Sequence, residues 1–243
     1  MRYYVGTSGW YYNHWRGKFY PKSLSKARWL EFYSGRFSTV ELNNSFYQLP
    51  TEKAFTNWKD SSPLEFVFSV KVSRFITHVK RLTDIAEPVT KFMDRAQLLE
   101  RKLGPLLYQL PKNMKYDYQT LEEFLKMLPE DASHVFEFRH KSWFDDRVFN
   151  LLRRYNAGFC IYDMPGFSTP LVATSDFAYI RFHGSQRLYS GCYSDEELED
   201  WARKITGLRL GVVYAYFNND AEGFAIRNAL TFRHLLEITS SDD

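Results

Sequence analysis

Alternation is what most constrains this chain. Apolar runs of strand length alternate with longer helical patterns along all 243 residues. Strands are predicted at 3–6, 39–42, 66–72, 106–110, 135–139, 159–163, 177–183 and 212–217. Between them, Val89, Phe92, Met93, Ala96, Leu99 and Leu103 share one helical face, with Gly104 as the stop. Thr120 with Glu123 reads as a capping box, and so does Ser194 with Glu197. The 165–176 stretch carries Pro165, Gly166 and Pro170 and no helical period, so the helix after strand six is expected to be short or missing. A last helix is predicted from about Gly223 to Ile238. Strands separated by helices must run parallel, with the helices covering the sheet from outside. Eight such units in a chain of this length predict one α/β domain over 1–243, a (β/α)8 barrel of the TIM type. The alternative is an open doubly wound sheet. It is disfavoured because Gly6-Thr7-Ser8-Gly9 lacks the G-x-G-x-x-G spacing of a dinucleotide turn.

Side chains alternate across a strand. The pairs Glu41 and Asn43, Ser69 and Lys71, Glu137 and Arg139, Arg181 and His183, and Tyr216 and Asn218 each share a face, with apolar residues opposite. Gln109 and Asp163 end strands four and six. In a barrel this polar parity faces the interior. The groups fall late in their strands, at the C-terminal mouth where barrel enzymes carry their sites. A bland reading competes: Glu137 pairs with Arg139 or Arg181 and plugs the barrel.

These stretches resemble the YecE-like family, also called domain of unknown function 72. The resemblance rests on Gly6-Thr7-Ser8-Gly9-Trp10, Glu41-Leu42-Asn43-Asn44-Ser45-Phe46-Tyr47 and Lys71 with Arg74-Phe75-Ile76-Thr77-His78. It continues through Leu107-Tyr108-Gln109-Leu110-Pro111, Glu137-Phe138-Arg139-His140 with Ser142-Trp143, Tyr179-Ile180-Arg181-Phe182-His183-Gly184 and Tyr216-Phe217-Asn218-Asn219. The resemblance implies a (β/α)8 barrel and no particular reaction. Ser45 stands where many relatives have Thr, which keeps the hydroxyl.

The candidate mouth is rich in cations: Lys71, Arg74, Arg139 and Arg181, with His78, His140 and His183. Arginine offers a planar fork and lysine a point charge to phosphate or carboxylate. Asn218 and Asn219 precede the last helix, whose N-terminus can take an anion, although Asp220 and Glu222 oppose it. Glu41, Glu137 and His183 are the candidates for acid–base catalysis. Trp10, Asn43, Lys71, Arg74, Arg139, His140, Trp143, Asp163, Arg181, Asn218 and Asn219 are the candidates for substrate contact. The carboxylates with His183 or His140 also form a ligand set for a divalent metal, without any H-x-x-x-H spacing to support it. His14, His134 and His234 are expected to be surface or packing residues.

Composition narrows the classes. A net charge of +3 is too mild to mark a nucleic-acid binder by itself. No apolar run reaches the roughly 20 residues of a membrane helix. The start Met1-Arg2-Tyr3 shows no secretory leader, and two cysteines, Cys160 and Cys192, fit a reducing cytoplasm. Aromatic residues make up 18%, enough for a core and a ligand cleft together. Three functions fit: an enzyme acting on a phosphodiester or phosphosugar, a non-catalytic nucleic-acid or nucleotide binder, and a metal-dependent sugar isomerase or hydrolase.

Overall fold

The computed structural model describes residues 1–239. Its strands are β1 (Arg2–Thr7), β2 (Thr39–Leu42), β3 (Val67–Lys71), β4 (Leu103–Gln109), β5 (His134–Glu137), β6 (Gly158–Met164), the two-residue β7 (Phe167–Ser168), β8 (Phe177–Phe182) and β9 (Val212–Phe217). Its helices are α1 (Trp29–Ser34), α2 (Asn44–Tyr47), α3 (Glu52–Asp60), α4 (Ala86–Ala96), α5 (Tyr118–Met127), α6 (Asp146–Arg154), α7 (Asp195–Thr206) and α8 (Phe224–Thr239). Eight strands pair in parallel in the order β1-β9-β8-β6-β5-β4-β3-β2, and β7 folds back antiparallel on β6. This is a (β/α)8 barrel whose end strands β1 and β2 come together. No helix forms between β6 and β8; the hydroxyls of Thr174 and Thr169 instead accept from Phe159 N and Tyr162 N at 2.7 and 3.0 Å. No helix among the described residues is long and apolar enough to cross a membrane.

The strand alternation splits the core in two. Val40, Leu42, Phe68, Val70, Tyr108, Phe136, Phe138, Ile180, Phe182 and Phe217 face out and are sealed under the helices. Leu107, Val135, Cys160, Phe177, Tyr179 and Tyr216 form a separate cluster inside the barrel. Two sequence expectations are corrected. Gly104 is no helix stop: it lies within β4, where a Cβ would sit 2.5 Å from Val67 Cγ1. Helix α4 ends at Ala96 and short 3-10 turns follow. Helix α5 begins earlier than Thr120, because the side chain of Asp117 accepts from Thr120 N and caps it. The Ser194–Glu197 capping box is present.

Where β1 meets β2, a side chain takes the place of a backbone ladder. Gly6 lets the strands approach, since a Cβ there would stand 2.4 Å from Thr39 O. The hydroxyl of Tyr33, on α1, enters this seam. It accepts from Thr7 N at 3.0 Å and donates to Thr39 O at 3.1 Å. A buried unpaired amide and carbonyl each cost free energy. Tyr33→Phe therefore removes about 1–3 kcal/mol of unfolding free energy in urea titrations. An unchanged midpoint would show that the seam does not depend on this hydroxyl.

Candidate functional site

The polar parity of the strands converges at the C-terminal end of the barrel. Glu41 and Asn43 come from β2 and its exit, Lys71 from β3, Gln109 from β4, Glu137 and Arg139 from β5 and its exit, Arg181 and His183 from β8 and its exit, and Asn218 from the end of β9. At the centre lies Arg181, only 1% exposed. One guanidinium nitrogen donates to Glu137 Oε2 at 2.5 Å, and the other to Glu41 Oε1 at 2.8 Å. One arginine of β8 thus ties β2 and β5, which are three places apart in the strand order.

Both carboxylates are engaged through both oxygens. Glu41 also accepts from Ser8 Oγ (2.7 Å), Asn43 Nδ2 (3.0 Å) and Tyr179 Oη (2.7 Å). Glu137 Oε1 accepts from Gln109 Nε2 at 2.7 Å, ion-pairs with Arg139 Nε and lies 3.5 Å from His183 Nε2. Burial by itself would raise both carboxyls. The cations override it: Arg181 holds Glu41 below the ordinary value, and Arg139 with Arg181 holds Glu137 well below. These two residues are ionised acceptors that orient arginines. Each keeps one oxygen, Oε2, with a single donor: Tyr179 Oη on Glu41 and Arg181 on Glu137.

His183 is fully buried. Its Nδ1 lies 3.2 Å from the Asn218 amide nitrogen, and its Nε2 lies 3.5 Å from Glu137 Oε1. Burial, helped by Arg181, pushes its pKa down to about 4. Arg139 stands over Tyr162 with its Cζ 4.9 Å from the ring centre, and its fork otherwise meets only Met164 Sδ at 3.5 Å and His183 Nε2 at 3.4 Å. Lys71 Nζ stands 4.2 Å from the Phe46 ring centre and has no hydrogen-bond acceptor among the described residues. Burial, then Arg181, pushes its pKa down to about 8, against the pull of Glu137 and Glu41. With His183 neutral, Lys71, Arg139 and Arg181 face Glu41 and Glu137, so the cluster carries an excess of one positive charge.

Other expected contacts lie elsewhere. Trp143 is fully buried, stacked 4.6 Å from Phe138, with Nε1 donating to Met114 O; it is core. Trp10 is 8% exposed and packs edge-on against Trp58, so it offers no open face. Asp163 has the opposite parity to the one expected: it bonds Ser168 and Tyr193 on the outer side, near Trp201 and Lys204. Tyr162 is the inward residue of β6, and counting by two back from the strand end would have found it. Asn219 is buried, donating to Gly191 O and Asn228 Oδ1 at 2.8 Å, and ties a loop to α8. Asp220 does not open an anion cradle: it accepts from Trp15 Nε1 and lies 2.9 Å from His14 Nε2. His140 caps the 3-10 turn Lys141–Trp143 through Ser142. Arg74 is exposed just before the π-helical turn Phe75–Val79. No group of three or more His, Cys, Asp or Glu residues that could hold a metal occurs among the described residues.

Two outcomes follow from this electrostatic arrangement. Glu137→Gln leaves Arg181 and Arg139 short of their counter-charge and costs about 3–5 kcal/mol of stability, measured by chemical denaturation. A loss under about 1 kcal/mol, the range of exposed pairs, would refute the bridge. The second outcome concerns pH. His183 stays neutral in the folded protein down to about 4, whereas the unfolded chain protonates it below 6.5. Its contribution is complete above 6.5 and is lost as pH falls toward 4, on the order of 3 kcal/mol. The depressed carboxylates act in the same direction below about 4.5. His183→Asn flattens the upper part of that slope, with His78 and His134, also depressed, keeping the remainder. An unflattened slope would refute the buried neutral imidazole.

Comparison with known proteins agrees with this architecture. A family model described as "Protein of unknown function DUF72" matches residues 4–242. The UPF0759 protein YunF of Bacillus subtilis is 26% identical over 98% of this chain and 96% of its own length. The UPF0759 protein YecE of Escherichia coli is 30% identical over 47% of this chain and 43% of its own. A crystal structure of a DUF72 family protein from Thermotoga maritima superposes with a TM-score of 0.89 at 32% identity, covering 98% of this chain and all of that one. With the same barrel over nearly its whole length, this chain belongs to the DUF72 family.

Proposed function

We propose that the barrel mouth binds a small phosphate-bearing substrate of the phosphosugar or phosphodiester class, as an enzyme site with Lys71 and Arg139 as the anion contacts. One observation carries the reading. Glu41 and Glu137 are engaged with Arg181, and Glu137 also pairs with Arg139 Nε, while Lys71 Nζ has no acceptor and the two terminal nitrogens of Arg139 meet only a sulfur and an imidazole. A cation desolvated in this way gains most from a dianionic partner. Asn43 Oδ1, screened from solvent and without a donor, suits a substrate hydroxyl. Arg74 lies one short turn beyond Lys71 and adds charge to the approach. The unpaired cysteines, Cys160 and Cys192, favour a cytoplasmic setting.

A nucleotide or nucleic-acid ligand is the second reading. It draws on Tyr11, Tyr47, Phe75 and Tyr189, exposed on the loops at this end of the barrel, since bases stack on such rings.

Calorimetric titration of inorganic phosphate tests the main reading. Lys71→Met and Arg139→Met each weaken binding about tenfold or more, equivalent to about 1.4 kcal/mol. Phosphate affinity indifferent to both changes would refute the site. Oligonucleotide binding that falls steeply with salt, with phosphate alone not binding, would move the assignment to the second reading.

A further inference from the structure

The anion reading treats Lys71 as a charge, but its surroundings fit a reactive amine. Lys71 closes β3, and its carbonyl accepts from Ser45 Oγ at 2.6 Å, which fixes the base of the side chain. The residue is 9% exposed, and Phe46 covers one side of its nitrogen at 4.2 Å. No carboxylate, carbonyl or hydroxyl of the described residues accepts from Nζ. Lys102, also largely buried, shows the contrast: it donates to Lys59 O, Ser62 O and Ser62 Oγ, the satisfied state of a structural lysine. Lys71 instead points its free donors into a mouth that holds Arg139 and Arg181.

Resting on the phosphate-site reading, we infer that Lys71 Nζ is a nucleophile that forms a Schiff base with the carbonyl carbon of a phosphate-bearing aldehyde or ketone, whose phosphate is held by Arg139. The nitrogen lone pair attacks the carbonyl carbon and a C–N bond forms. The carbonyl oxygen leaves as water, taking both hydrogens of the neutral amine, and the imine gains one proton from solvent. Nothing is oxidised or reduced. The iminium carries the same single positive charge as the ammonium it replaces, so Glu41 and Glu137 still offset it. It also draws electrons from an adjacent C–H or C–C bond, the chemistry of isomerisation and of aldol cleavage. With the amine pushed down to about 8 by burial and by Arg181, about a tenth of it is free at neutral pH, far more than for an exposed lysine.

Pyridoxal 5′-phosphate, itself a phosphate-bearing aldehyde, is the probe. Brief incubation with the whole protein, borohydride reduction and peptide mass mapping locate the fixed label. The expected result is one pyridoxyl group on Lys71, formed about tenfold or more faster than on exposed Lys53, and suppressed by inorganic phosphate. K71R, which keeps the cation but forms no imine, loses the label and retains phosphate binding. Phosphate protection in the unmodified protein keeps the result readable if K71R does not fold. Phosphate binding with Lys71 unlabelled, or labelled no faster than Lys53, overturns the nucleophile and leaves the anion site standing. Rapid Lys71 labelling that phosphate does not suppress supports the amine and overturns the phosphate site. Neither labelling nor phosphate binding overturns both.

Discussion

A guanidinium shut away from water organises the top of this barrel. Desolvating Arg181 costs several kcal/mol unless carboxylates surround it, and breaking one half of such an arrangement leaves a buried charge uncompensated. Glu41 from β2 and Glu137 from β5 answer that demand from two separate strands. They also accept from Ser8, Asn43, Tyr179 and Gln109, and Glu137 ion-pairs with Arg139. Below this layer the interior is apolar around Leu107, Val135 and Cys160. Above it stand the half-buried Asn43, Gln109, Arg139 and Asn218, which meet solvent.

The layer also decides which groups are left for a ligand. Glu41 bound to Arg181, and Glu137 bound to Arg139 and Arg181, are held ionised near neutral pH. His183, wedged between Glu137, Arg139 and Asn218, is neutral and enclosed. The cation that the network leaves without a hydrogen-bond acceptor is Lys71. The bland alternative of a charged plug describes Arg181 and its two partners well. It does not account for a further buried cation, Lys71, whose nitrogen feels both carboxylates and has no hydrogen-bond acceptor among the described residues.

Much of this was legible in the sequence, for a physical reason. A strand with one face on helices and the other in a barrel interior writes a period of two, so Glu41, Glu137, Arg181 and His183 marked themselves as inward residues. Parity fails where a strand end is misjudged by one residue, because a single step reverses the face. Asp163 and Tyr162 show this: the carboxylate looked like the site residue, yet the tyrosine faces in. Trp143 failed for another reason. Its position after β5 suggested the rim, but its indole found a stacking partner in Phe138 and an acceptor in Met114 O, and burial of so large a ring outweighs exposure. The Asp117 cap was hidden in a run of polar residues in which several can accept from a helix N-terminus.

The sequence by itself determined the barrel, its eight parallel strands, the missing helix after β6 and the end at which polar groups gather, because periodicity and turn chemistry are local and survive without contacts. The tertiary structure alone decided who partners whom. Glu41 and Arg181 are 140 positions apart, and Glu137 and Arg181 are 44. Only closure of the sheet brings them within hydrogen-bonding distance, spends both carboxylates on one arginine and leaves Lys71 uncommitted.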